Sequence, residues 1–440
     1  MSAVASEKLI SRIWQHQLIA RLVTDAGAKL QIVHPGRPHN GSGCDFKDAV
    51  FTIDGKRITG DIEIHVKSSR WYSHSHHSDP KYNDVALHVA MWQDSPSPAR
   101  LENGKIIPTV FLSQALSDNY IKLSELHNHP PPLCPHADYS NSETLRDLLT
   151  TAGEERFATK IASFKRALEQ EKAGQVLFRG ITRALGYSQN TEPCERLANR
   201  LHLSFLEQIK PDSHTARQAL LLGTAGLLPS QRIRVQNDAA RKREAKELDE
   251  LWKTNGIAQK MKEDDWCFSR VRPDNFPTRR LIALSYILTR YTKSGLLQGI
   301  LNLISKAPQG AARRWLEDGI IIDSQGYWAN HLDFGMPKKR SSALLGQERA
   351  ANIIINVVLP FAYAWGEAAA EPKLKGKTAQ IYDRYPGLGD NELTRYMKQQ
   401  LRMGQGCNLS ACQQQGLIHI FKNNCQTRNC PTCPVALILN

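Results

Sequence analysis

No run of apolar residues in this 440-residue chain approaches the ~18 that a membrane-spanning helix needs. The stretch from Ala351 to Trp365 is interrupted by Asn356 and Pro360. The amino terminus lacks the apolar core of a secretory signal, since Glu7, Lys8, Arg12 and His16 are spread through it, and a cytoplasmic location with no membrane partner is expected. No phosphate-cradling Walker loop, no dinucleotide-binding glycine fingerprint and no internal repeat occurs, which removes the usual signs of P-loop hydrolysis, Rossmann-type cofactor use and solenoid architecture. Acidic residues are in deficit, 43 against 57 Lys and Arg, giving a formal net charge of +14. Such an imbalance favours polyanionic partners such as DNA or RNA through counterion release.

What is present is a seven-residue run, Asp61 to Lys67, in which Asp61, Glu63, His65 and Lys67 alternate with Ile62, Ile64 and Val66. A strand shows every second side chain to one face, so the four ionisable residues form a row spaced roughly 7 Å apart over an aliphatic underside. Carboxylates and imidazoles crowded this way are best satisfied by a divalent cation, Mg²⁺ or Mn²⁺ or another transition metal. The preceding segment, Phe46 to Thr52, reads as the partner strand, with Asp54-Gly55 at the turn. A three-residue loop Ile53-Asp54-Gly55 puts Asp45 opposite Glu63, whereas a two-residue Asp54-Gly55 turn puts it on the other face. The first arrangement is expected. Asp45 and Glu63 are then metal ligands, Lys67 the electrostatic catalyst, His65 a ligand or proton carrier, and Asp61 a secondary ligand.

Eleven of the fifteen histidines precede residue 140, and His74, His76, His77 and His88 follow the row closely. Val85 to Trp92 reads as the next strand, with His88 in its middle, after a short helix or loop from Trp71 to Asp79 that crosses back over the sheet. His76 and His88 are further candidate ligands, and they would favour Mn, Fe or Zn over Mg²⁺. His127, His129 and His136 lie in a proline-rich stretch read as linker.

An acidic residue opening one strand, followed by Glu and Lys on the next, resembles the PD-(D/E)XK nuclease superfamily. That resemblance implies Mg²⁺ held by Asp and Glu and hydrolysis assisted by Lys. The spacing departs from the motif, because His65 stands at the lysine position if Glu63 is the acid. Segments along nearly the whole chain also look like the bacterial domain-of-unknown-function family 2851. These are Gly43-Cys44-Asp45-Phe46, Gly60 to His65, His74-Ser75-His76-His77, Leu87-His88-Val89, Ala184-Leu185-Gly186-Tyr187, Arg272 to Pro277 and Gln415 to His419.

From Asn141 onwards the period turns helical, opening on the capping-box pattern Ser140-Asn141-Ser142-Glu143. Helices are predicted at 175–185, 192–206, 216–227, 237–262 and 279–291. Arg270, Arg272, Arg279 and Arg280 surround the turn Pro273 to Pro277 and are candidate phosphate contacts. Five cysteines lie beyond residue 400, and Cys412, Cys425, Cys430 and Cys433 would complete a four-thiolate site for Zn²⁺ or a 4Fe–4S cluster. Spacing alone does not separate the two, and resemblance to nucleases that carry an iron–sulfur staple adds weight to the second while leaving both open.

The expected fold is α+β: a nuclease-like mixed sheet with flanking helices over 1–140, a basic helical domain over 141–405, and a Cys-rich metal-binding tail over 406–440. The expected activity is metal-dependent hydrolysis of nucleic acid. The alternatives are a non-catalytic nucleic-acid- or protein-binding scaffold with a structural metal, and a hydrolase of small phosphoesters or amides.

Overall fold

The computed structural model describes residues 6–17, 19, 22–39, 43–116, 133–136, 142–187, 189–210, 213–232, 239–255, 260–268, 271–404 and 406–437. The fold is mixed α+β, with a sheet in the amino-terminal part and helices through most of the remainder. Two compact units are distinguished. The first comprises 1–153, 390–407 and 415–440, and the second 154–389 and 408–414.

The first unit opens with helix α1, Glu7–His16, whose N-cap Ser6 accepts from the Leu9 amide at 3.2 Å. Strands β1 (Leu22–Val23), β2 (Lys29–His34), β3 (Arg37–Pro38), β4 (Phe46–Ile53) and β5 (Lys56–Lys67) follow. Helix α2 (Arg70–Ser73) then leads to β6 (Val85–Trp92) and β7 (Thr109–Phe111). The sheet runs β1-β2-β4-β5-β6-β7, with β3 paired to β4. The pairs up to β4·β5 are antiparallel, and β5·β6 and β6·β7 are parallel. Ile62 and Ile64 of β5 and Leu87 and Val89 of β6 bury one face against Ile10, Ile13 and Trp14 of α1. Each such side chain stabilises the unit by ~1.5–3 kcal/mol relative to exposure. The opposite face of the same strands carries Glu63, His65 and His88, roofed by Trp71 of α2, whose indole donates to Arg100 O at 2.8 Å.

The hairpin corrects one expectation and preserves its consequence. Ile53 pairs with Lys56, so the turn is the two-residue Asp54-Gly55 form and not the three-residue loop. Register then slips by one between Ala49↔Gly60 and Phe46↔Ile62, through a bulge at Lys47 and Asp48, where Asp48 takes φ 58°. The bulge undoes the effect of the shorter turn and returns Asp45 to the position beside Glu63. Asp45 N–H donates to Ile62 O at 3.1 Å, and Asp45 Oδ2 accepts from Ile64 N–H at 2.8 Å.

The second unit is helical, with Ala173–Leu185, Thr191–Arg200, Leu203–Glu207, His214–Ala225, Ala239–Asn255 and Pro277–Arg290 close to the predicted spans. The 192–206 span is two helices, separated at Leu201 and His202. Beyond them a short hairpin, His331–Asp333 with Met336–Pro337, was not foreshadowed by the helical period. The capping-box residues Ser140 and Asn141, and the histidines at 127 and 129, lie outside the described residues. Among the described residues no helix is long and apolar enough to cross a membrane.

Candidate metal centre

Alternation along β5 places Glu63 and His65 on one face, and the parallel pairing Glu63↔His88 brings β6 alongside. After α2 the chain reverses at Ser75, φ 60°, and a single 3-10 turn, His76–Ser78, directs His76 back over β5. A second turn, Pro80–Tyr82, capped by Asp79 on the Lys81 amide, lays the Tyr82 ring 3.7 Å from that of His76.

Three donor atoms then face one point. Glu63 Oε1 lies 3.2 Å from His76 Nε2 and 3.6 Å from His65 Nε2, and the two imidazole nitrogens are 3.2 Å apart. A tetrahedral ion with bonds of ~2.0–2.2 Å requires ligand-to-ligand edges of ~3.3–3.6 Å, so the triangle has the right size without movement of any strand. His74, exposed on the rim, brings a ring nitrogen within 4.8 Å of those of His65 and His76. Behind the triangle, His65 Nδ1 meets His88 Nε2 at 3.0 Å, and His88 Nδ1 meets Thr109 Oγ1 at 3.4 Å. A proton on His65 Nδ1, shared with His88, leaves His65 Nε2 as a lone-pair donor. This is the arrangement in which an outer partner fixes the tautomer of a metal-ligating histidine.

Burial governs the electrostatics. Desolvation first, and the charge of Asp45 second, push Glu63 up to about 9. Desolvation, followed by the neighbouring histidines, takes His65 down to about 2, His76 to about 4 and His88 to about 3. Without a metal, burial thus favours the neutral forms of Glu63, His65, His76 and His88, groups that ionise readily in water. Glu63 Oε2 and His76 Nδ1 are buried without a hydrogen-bond partner. An unpartnered carboxylate oxygen beside converging imidazoles is the arrangement a cation would satisfy.

The other sequence-derived candidates divide. Asp45 is held at the edge of the cluster by Ile64 N–H, and its charge reaches Glu63. Asp61 is used elsewhere: Oδ2 accepts from the Cys44 thiol at 3.1 Å and Oδ1 from the Asp48 amide at 3.3 Å, so it holds the bulge. Lys67 is out of the cluster, with its side chain 58% exposed and its amine 3.9 Å from Asp94. His88 stands one step back, behind His65. His74 and Tyr82 join the site without having been singled out; the His-Ser-His-His pattern pointed to the first, and nothing in the sequence pointed to the second.

Two of the proposed phosphate contacts are corrected. Arg279 is fully buried and donates to the carbonyls of Trp328, His331 and Ser342 at 2.8, 2.6 and 2.8 Å. Arg280 is buried against the Tyr187 ring and donates to Leu344 O and Asn275 Oδ1. Both guanidinium groups staple backbone and are unavailable to a phosphate. Arg272 is exposed, and Arg270 lies outside the described residues. Cys412 is buried in the second unit and hydrogen-bonded to Tyr382, whereas Cys425, Cys430 and Cys433 belong to the first.

No curated protein and no solved structure matches the chain. A family described as "Protein of unknown function (DUF2851)" matches residues 7–390. On that match, which spans most of its length, the chain belongs to the DUF2851 family.

Proposed function

We propose that Glu63, His65 and His76 hold a divalent transition metal and that the centre hydrolyses phosphodiester bonds of nucleic acid. The observation that carries this reading is the triangle of donor atoms with edges of 3.2, 3.2 and 3.6 Å on the polar face of β5. Two imidazoles and one carboxylate favour Mn, Fe or Zn over Mg²⁺, which prefers oxygen, and three protein ligands leave coordination positions for substrate and water. Bound there, the ion would polarise a phosphoryl oxygen and acidify a water. The chain's own contributions are orientation and proton handling. His88 fixes the His65 ring. Tyr82, held protonated chiefly by burial, is a hydrogen-bond donor whose ring packs at a tilt against that of His76. Asp45, anchored by the Ile64 amide, is the carboxyl group assigned to take up the proton of the attacking water. The excess of 57 basic over 43 acidic residues supports a polyanionic substrate.

The competing reading is a binding scaffold with a structural metal. It rests on Lys67, which engages Asp94 and leaves the centre without the lysine the nuclease pattern uses. The two separate in one experiment on the whole chain. Metal analysis should give about one equivalent at the histidine centre, and a mixed panel of DNA and RNA should be cleaved with Mn²⁺ or Zn²⁺. Glu63→Gln should remove both the metal and the cleavage while leaving oligonucleotide binding intact. Wild-type protein that binds oligonucleotides with steep salt dependence yet cleaves none with any divalent ion selects the scaffold. Equal cleavage by the wild type and Glu63→Gln refutes the catalytic reading.

A further inference from the structure

Three of the late cysteines and one far earlier in the chain converge within the first unit. Cys430–Thr432 forms one 3-10 turn, closed by Cys433 N–H donating to Cys430 O at 3.0 Å, which puts the Cys-x-x-Cys pair on a single turn. Upstream, a π turn over Phe421–Cys425 is joined to that pair by a tight segment, in which Asn429 N–H donates to Asn424 O at 2.9 Å and Arg428 N–H to Cys425 O at 3.1 Å. At the other end of the π turn, Phe421 packs edge-on to Tyr396 at 5.9 Å. Tyr396 belongs to helix Glu392–Gln400, and the carbonyl of Gln400 accepts from Cys134 N–H at 3.3 Å. Cys134 is thereby drawn to the tail. Cys433, Cys134 and Cys430 are all electrostatic neighbours of Cys425, and Cys425 and Cys134 are both neighbours of Tyr396. None of the four is in a disulfide: Cys433 is buried, Cys134 and Cys425 half-buried, and Cys430 exposed.

We infer that Cys134, Cys425, Cys430 and Cys433, and not Cys412, form a four-thiolate site for a soft transition-metal centre. Cys412 has its own partner in Tyr382, so the fourth ligand must come from elsewhere, and Cys134 is the cysteine whose backbone is tied to this part of the unit. Bare thiols gain little from such crowding. A metal deprotonates them and converts the repulsion into binding. The spacing Cys425-x4-Cys430-x2-Cys433 with a distant fourth ligand is one that iron–sulfur proteins use. Tetrahedral zinc, with Zn–S of ~2.3 Å, requires sulfurs ~3.8 Å apart. An iron–sulfur cluster, whose own atoms separate its ligands, takes thiolates spread more widely than that. The site is independent of the histidine centre.

The test is metal analysis of the whole chain purified without oxygen, in a His76→Ala background so that the histidine centre does not contribute. Iron and sulfide in equal amounts, about two or about four of each per chain, with visible charge-transfer absorption are expected. Cys134→Ser should lower them at least tenfold, and Cys412→Ser should leave them unchanged. About one zinc per chain with the same dependence on Cys134 would uphold the four-thiolate site and put zinc in place of the cluster. Metal content indifferent to Cys134→Ser, or lost equally in Cys412→Ser, overturns the assignment. Should the Cys134 variant fail to fold, thiol alkylation of the unsubstituted protein followed by peptide mapping decides. The four cysteines should be protected until a chelator is added, and free labelling of all four without one overturns the site.

Discussion

Single side chains here are informative mainly through what surrounds them. His88 reaches the proposed ion only through His65, so His88→Ala should lower Zn²⁺ or Mn²⁺ affinity about 10- to 100-fold without removing a ligand, as read by calorimetric titration. No change would place His88 among ordinary core residues. His34 gives a pH expectation that does not involve the centre. Its Nδ1 accepts from the Gly36 amide at 3.1 Å, and burial first, then Arg428, lowers it from 6.5 to about 4. The unfolded chain therefore binds the proton first. The stabilisation from His34 is complete above pH 6.5 and is lost as pH falls towards 4, by an amount on the order of 3 kcal/mol. Urea denaturation at pH 7.5 and 4.5 should show a smaller difference in His34→Gln than in the parent. Arg279 makes the opposite kind of case, a cation whose worth lies in three backbone carbonyls. Arg279→Met should destabilise the chain by ~3 kcal/mol or more, since those acceptors lose their donors inside the second unit. The salt dependence of oligonucleotide binding should not move.

At the scale of elements, the sheet shows which parts of a fold can be read locally. β5 was legible because four ionisable residues alternate with aliphatic ones, and Val85–Trp92 because a continuous apolar run between turns marks a strand buried on both faces. The bulge at Lys47 and Asp48 was not, because it depends on Asp61, a residue of the neighbouring strand, to satisfy the Asp48 amide. The placement of Asp45 was thus anticipated through the wrong turn. Asp61→Ala should cost ~1–3 kcal/mol in chemical denaturation by leaving that amide unpaired. Gly60 marks another close approach. An added Cβ would lie 2.4 Å from Ala86 Cβ, so Gly60→Ala must part β5 from β6, at a cost of typically ~1–3 kcal/mol. Buried arginines were misread because their carbonyl acceptors come from segments far along the chain. Short-range pattern reports which face a residue occupies, and long-range partners decide what it does there.

For the whole molecule, the notable fact is the order in which the pieces of the first unit occur along the chain. Residues 1–153 supply the sheet, and 390–407 and 415–440 return to the same unit after the helical one has intervened. During synthesis on a ribosome, the strands bearing Glu63 and His65 emerge early and wait while more than two hundred residues of helix are made. The helix with Tyr396 and the cysteines at 425, 430 and 433 follow it. Translation thus imposes its own timing: a nascent polypeptide that has reached residue 389 already carries Glu63, His65 and His76 but lacks the later segments of the same unit, so that unit cannot close until they too have left the ribosome.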